Sequence, residues 1–200
     1  GVLEQEQRRA VSIGAVMTGG AYVTQRSREE DDFYPTPSEA TDALMAAWKP
    51  KGNVWEPCAG NGALADRVKL HMNPESKLLM TDINPRREDI RKKDFLSLKG
   101  EMPGDFSIIT NPPFKFAEKF IRQGFSLGVQ QQAILLKSTF FHASRRTGFF
   151  YEFRPSHIFA LNWRLDFMNL KRPVMECAWF VWDRPSSETT QYDILSKAEK

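Results

Sequence analysis

Apolar residues in this chain gather in short runs separated by turn formers, a pattern of buried strands rather than of long helices. Asn53–Glu56, residues 77–81, residues 105–110 and Gln131–Lys137 are such runs. They are too short for ordinary helices and apolar enough to be covered on both faces. Between them the spacing becomes helical. Thr36, Pro37, Ser38 and Glu39 read as a capping box with proline at the first helical position, predicting a helix that reaches Trp48 and stops at Pro50. Leu64, Val68 and Met72 share one face of a second helix over 62–72, and Phe116, Phe120 and Phe125 mark a third over 115–128.

Alternating strands and helices predict an α/β chain with a doubly wound, mostly parallel sheet, whose site lies at the carboxyl ends of the strands. The ends of the chain read differently. Residues 1–31 are polar, with a closing acidic run, and are expected to form a flexible arm. A single domain is expected over 32–184, and 185–200 reads as a tail. In the last third, His157–Leu161 and residues 177–182 are short apolar strands. Between them, 162–176 mixes Trp163, Arg164, Phe167, Lys171 and Arg172. This connection reads equally well as a solvent loop or as a segment that touches a substrate.

Composition narrows the class only slightly. The chain has 200 residues, 41% hydrophobic and 26% charged, with a net charge of +3, enough for one domain with a full core. Bulk charge that mild would not hold nucleic acid, so such binding would come from local clusters, and Arg145, Arg146, Arg164, Lys171 and Arg172 are the candidates nearest the expected site. Cys58 and Cys177 are far apart and suggest neither a disulfide framework nor a metal site. No metal is expected. No apolar run approaches the roughly 20 residues of a membrane span, so a soluble, cytoplasmic protein with no membrane contact is expected.

The chemistry concentrates after the run at 105–110. Asn111, Pro112, Pro113 and Phe114 end that strand with an amide, two residues that donate no N–H, and a ring. The tetrapeptide alone is also compatible with a proline-capped strand end. As a site, it offers the Asn111 side-chain oxygen and backbone carbonyls to a planar amine, with Phe114 against the flat group that carries it. Upstream, Glu56 and Pro57 lead into Ala59, Gly60 and Gly62, a strand, glycine turn and helix that can cradle a nucleotide. Asp82, at the end of the next strand, can take both hydroxyls of a ribose. Gly60, Gly62 and Ala65 satisfy a dinucleotide fingerprint, but Glu56 would repel a pyrophosphate. It suits the ammonium of S-adenosylmethionine, which carries no phosphate.

With these segments in this order, the chain resembles the class I S-adenosylmethionine-dependent methyltransferases, specifically the amino-group enzymes that include DNA adenine N6 methyltransferases. Asp32 to Pro37 looks like the family's N-terminal cofactor motif, and Lys93 to Leu96 like the segment whose acid reads the cofactor's adenine amine. The resemblance implies a Rossmann-like methyltransferase fold whose last two strands form an antiparallel pair at the edge. It implies cofactor contacts from Tyr34, Pro35, Thr36, Glu56, Pro57, Ala59, Gly60, Gly62, Asp82, Ile83, Asp94 and Phe95. It also implies an acceptor loop of Asn111, Pro112, Pro113 and Phe114.

By that resemblance the acceptor is an exocyclic amine, with N6 of adenine in DNA ahead of RNA base amines or a protein glutamine amide. A module that binds cofactor or nucleic acid without catalysis is the other class. Roughly 85 residues follow Phe114, too few for a separate recognition domain beside the remaining strands. Recognition is therefore expected from the 162–176 connection with the arm and the basic clusters, from a second copy, or from a separate specificity partner.

Overall fold

The structure is a computed structural model, and it describes residues 34–102, 105–169, 171, 173–185 and 188–197. The expected arm at 1–31, Asp32 and Phe33 of the N-terminal motif, and Arg172 lie outside these residues. Helix α1 spans Ser38–Ala47, strand β1 Asn53–Glu56, helix α2 Ala63–Lys69, and strand β2 Leu78–Asp82. The two-residue strand β3, Arg91–Lys92, precedes β4, Phe106–Thr110, α3, Ala117–Ser126, and β5, Gln131–Lys137. The chain continues through α4, Thr147–Glu152, β6, His157–Leu161, β7, Cys177–Asp183, and β8, Gln191–Leu195.

The strands form one sheet in the order β3-β2-β1-β4-β5-β7-β6-β8. β3, β2, β1, β4 and β5 pair in parallel, whereas β7 runs antiparallel to both β5 and β6. β8 adds in parallel outside β6. The antiparallel pair expected at the end is therefore present, but β8 covers it, in a stretch that reads as tail. Its burial explains the misreading, because Gln191 to Ile194 are exposed and no apolar run announces the strand. Pairing to β6 makes it one.

Apolar runs become strands here because alternate residues serve two cores. Val54, Ile109, Ala133, Leu135, Trp179 and Val181 pack on one face with Leu44, Met45, Leu64 and Val68 of α1 and α2. Trp55, Ile108, Ile134, Leu136, Phe180 and Trp182 pack on the other with Phe120 and Ile121 of α3 and Phe149 of α4. The Trp179 indole, fully buried, donates to the Ala40 carbonyl at 2.9 Å and ties α1 to the sheet. At the amino end, Gln131 accepts from the Lys51 N–H and the Ser107 hydroxyl and donates to Asp183. With those bonds made, a buried amide holds the register of β4, β5 and β7 instead of weakening it. No helix among the described residues is long and apolar enough to cross a membrane.

Candidate active site

β1 and β4 are parallel neighbours, with Val54 opposite Ser107 and Trp55 opposite Ile108. The residues after Glu56 and after Thr110 therefore leave the sheet side by side. That register brings the glycine turn and the Asn111 loop to one edge, at the carboxyl ends of the strands.

The turn is held by its own acid. Gly60 adopts φ +54°, and its N–H donates to Asp82 Oδ2 at 2.8 Å, while the Asn84 N–H donates to Oδ1 at 2.7 Å. Ala59 N–H donates to the Thr81 carbonyl and accepts Gly62 N–H in return at its own carbonyl. Gly62, at φ +82°, opens α2, and a Cβ there would stand 2.4 Å from Arg87 Nη1. The left-handed backbone favours glycine at that position. Arg87 fills the space, binding Asp66, Asp89 and the Asn61 carbonyl, so the turn is clamped from below as well as from β2.

Glu56 is 2% exposed, and its Oε2 is buried with no partner. Burial pushes its carboxyl well above the ordinary value of 4.5; the Ala65 backbone bond opposes this, and Asp82 and Asp66 reinforce it. Burial likewise pushes the Cys58 thiol well above its ordinary 9, and Asp82, Glu56 and Asp94 act on it in the same direction. A thiol held neutral in this way is a packing group, not a nucleophile. The same interactions put the carboxyl groups of Glu56, Asp82 and Asp94 within electrostatic reach of Cys58 beside the turn. Among the described residues, no three His, Cys, Asp or Glu side chains gather as metal ligands.

Across the edge, Asn111 Nδ2 donates to Thr36 Oγ1 at 3.2 Å and to the Tyr34 carbonyl at 3.5 Å. The Thr36 hydroxyl could donate or accept. The Tyr34 carbonyl can only accept, so the amide must turn its NH2 toward it and its Oδ1 the other way. Thr36 thus does not form the expected cap: α1 begins after Pro37 with no side-chain cap bond, because the hydroxyl is engaged by Asn111. Pro113's carbonyl takes the Phe116 N–H; among the described residues no donor is seen on Asn111 Oδ1 or on the Pro112 carbonyl. Pro112 is buried and Phe114 half-buried, and Lys137 Nζ lies 5.3 Å from the Phe114 ring centroid.

The other expected site residues separate into two groups. Tyr34, Pro35, Pro57 and Asp94 sit along this edge. The Lys93 N–H on the Asp82 carbonyl carries Asp94 there, and Asp94 Oδ1 caps the short turn at Phe95–Ser97. Ile83 is 56% exposed at the end of β2. Phe95 instead points inward, 2% exposed, stacked on Phe120 and edge-on to Trp55, so it seats the Asp94 turn rather than facing a ligand. Among the cations, Arg146 bonds the Phe140 carbonyl and lies 4.4 Å over its ring, and Arg164 pairs with Glu176 at 2.7 Å. Both are occupied locally. Arg145 and Lys171 are exposed.

The 162–176 connection reads from sequence as a segment that could touch a substrate; its contact with Tyr34 and the place of Lys137 do not read from it. Phe167 of the 162–176 connection meets the Tyr34 ring edge-on at 6.1 Å, which brings that connection against the residue whose carbonyl holds Asn111. Lys137 closes a strand and carried no sequence signal beyond its charge.

No known family profile and no curated protein matches the sequence. Solved structures do match. A modification subunit described as belonging to a type I restriction enzyme of Vibrio vulnificus shares 15% identity at a TM-score of 0.58, over 98% of this chain and 51% of that one. A type I restriction-modification methyltransferase subunit from Streptococcus thermophilus gives 13% and 0.59, over 80% and 47%. A chain from Pyrococcus horikoshii described as an RNA methyltransferase gives 14% and 0.54, over 92% and 98%. The present chain spans about half the length of the two restriction subunits. It has the Rossmann-like fold of the class I methyltransferases.

Proposed function

We propose that this chain transfers a methyl group from S-adenosylmethionine to an exocyclic amine, with N6 of adenine in DNA as the favoured acceptor. The orientation of Asn111 carries the reading: its NH2 is committed to Thr36 and Tyr34, so Oδ1 is left as an acceptor, and the carbonyl of the next residue, Pro112, is the second acceptor in this reading. Restriction-modification relatives in the structural comparison favour DNA. The Pyrococcus chain supports an RNA amine as the second reading.

The residues beside the glycine turn fit the cofactor. Glu56 Oε2 lacks a partner that an ammonium would supply, Asp82 keeps lone pairs for ribose hydroxyls beyond its two backbone bonds, and Asp94 is exposed on the same side. Bound there, S-adenosylmethionine supplies a methyl group activated by a positive sulfur.

The chain's own part is positioning. A conjugated amine is a poor nucleophile because its lone pair is delocalised. Two acceptors that hold its hydrogens, at Asn111 Oδ1 and the Pro112 carbonyl, draw the nitrogen toward tetrahedral geometry and localise the pair. Holding the amine nitrogen in line with the methyl carbon and its sulfur is worth up to about 7–11 kcal/mol, and the two acceptors supply part of that orientation. The methylated nitrogen is cationic and strongly acidic, so one of the held protons leaves to water and no dedicated base is required. Incubating the protein with methyl-labelled cofactor and separate DNA, RNA and protein acceptors tests the reading. Label as N6-methyladenine in DNA is the expected result, and label confined to protein amides would end it.

Glu56 gives an independent check. Its folded-state value lies above the ordinary one, so the ligand-free protein holds a proton that the unfolded chain releases, and stability declines as pH rises from the ordinary value toward the raised one. An ammonium beside Oε2 favours the ionised form. Cofactor binding should therefore expel up to one proton over that interval, and affinity should rise with pH across it. Calorimetry in two buffers of different ionisation heat measures the proton directly. Zero release throughout the interval would mean that Glu56 does not meet the cation.

A further inference from the structure

We infer that Lys137 is a phosphate anchor for the acceptor strand, so that the acceptor at this site is a nucleic acid rather than a protein amide. The inference rests on the reading of the site as an amine methyltransferase. β5 lies beside β4 in parallel, so Lys137, the exposed last residue of an otherwise buried strand, emerges next to the Asn111 loop. Its Nζ sits 5.3 Å from the Phe114 ring centroid. Among the described residues it has no carboxylate partner.

Glu56, Asp82 and Asp94 occupy the β1–β3 half, where a cationic cofactor would lie. Lys137 occupies the acceptor half, and Lys171 is exposed in the connection that enters β7. An unpaired ammonium beside a nitrogen that gains positive charge on methylation opposes that step, unless the acceptor brings an anion with it. A phosphodiester next to a flat base on Phe114 is such an anion, and a neutral glutamine side chain is not. The Lys137 ammonium is exposed to water, where cation–π contact is weak, so it can leave the ring for the phosphate while its stem stays along the loop.

Salt dependence reads this out. Each neutralised phosphate contributes about 0.9 to the slope of log affinity against log salt on duplex DNA and about 0.7 on a single strand. With the full chain methylating duplex DNA, single-stranded DNA and RNA oligonucleotides, Lys137→Met should lower that slope by one such increment on the substrate used. It should also raise KM about tenfold at low salt, with kcat at saturation within about twofold. Lys137→Arg should restore the slope, and the affinity for S-adenosylmethionine should be unchanged in both variants. A purely structural role for Lys137 would leave the slope alone, so an unchanged slope in Lys137→Met overturns the anchor while the methyltransferase reading stands. If the unaltered protein methylates a protein amide and none of the oligonucleotides, anchor and nucleic-acid acceptor fall together.

Discussion

Replacing Asn111 by Ala is expected to lower kcat by about two to three orders of magnitude, the loss typical when one preorganised polar group at a reacting centre is removed. The dissociation constant for S-adenosylmethionine should hardly move. The physical reason is the division of labour across β1 and β4. Asn111 bonds Thr36 and Tyr34 through its NH2, and among the described residues no hydrogen bond joins its side chain to the glycine turn or Asp82. In the proposed mechanism its Oδ1 acts only on the amine, and most of its effect arises as the nitrogen pyramidalises. Asn111→Asp should lose less, because a carboxylate keeps an acceptor and the Thr36 hydroxyl can donate to it. Single-turnover kinetics beside calorimetry separates the two quantities. A parallel fall in transfer and in cofactor binding for Asn111→Ala would reassign the residue to the cofactor pocket.

Asp82→Ala should show the opposite pattern, weakening the cofactor by about two orders of magnitude while the rate at saturating cofactor is largely kept. Two losses combine. The acid gives up its bonds to ribose hydroxyls, and the Gly60 and Asn84 N–H groups lose their acceptor at 2.8 and 2.7 Å. The second loss relaxes a backbone that sits at φ +54° at Gly60. Asp82→Asn retains one acceptor oxygen and should fall between. Titration of each variant with S-adenosylmethionine by calorimetry checks the order. If Asp82→Ala binds as tightly as the unaltered protein, the ribose role is wrong.

Much of the framework was legible because buried strands write their burial into the chain. β1, β4 and β5 coincide with the runs to within a residue, since most of their residues meet a core on one face or the other and their buried polar residues Ser107, Gln131 and Gln132 are hydrogen-bonded inside it. The glycine turn was legible for a related reason: Gly60 and Gly62 occupy left-handed backbone that other residues rarely adopt. Glu56 stood out because a carboxylate inside an apolar strand has to have a use. β8 was not legible, for Gln191 to Ile194 gain no burial, only backbone pairing to β6.

Side-chain partnership was the other hidden layer. Thr36 carries the signature of a helix cap, yet its hydroxyl is engaged by an amide 75 residues along the chain. Arg146 and Arg164 have the charge to hold a polyanion, but a carbonyl under a phenylalanine ring and Glu176 already use them. Lys137 has the same charge and is left beside Phe114. Charge can be read from the letters; whether it is already satisfied depends on which distant residue folds next to it.

By itself, then, the sequence determined the alternation of strand and helix, the two glycines, the acid at the end of β2 and the amide loop, because burial and backbone geometry restrict residue type at each position independently. The tertiary structure decided the strand added at the edge, the direction in which Asn111 points and which cations remain available. Those depend on pairings between residues remote in the chain, and pairing is a property of two positions that neither one records alone.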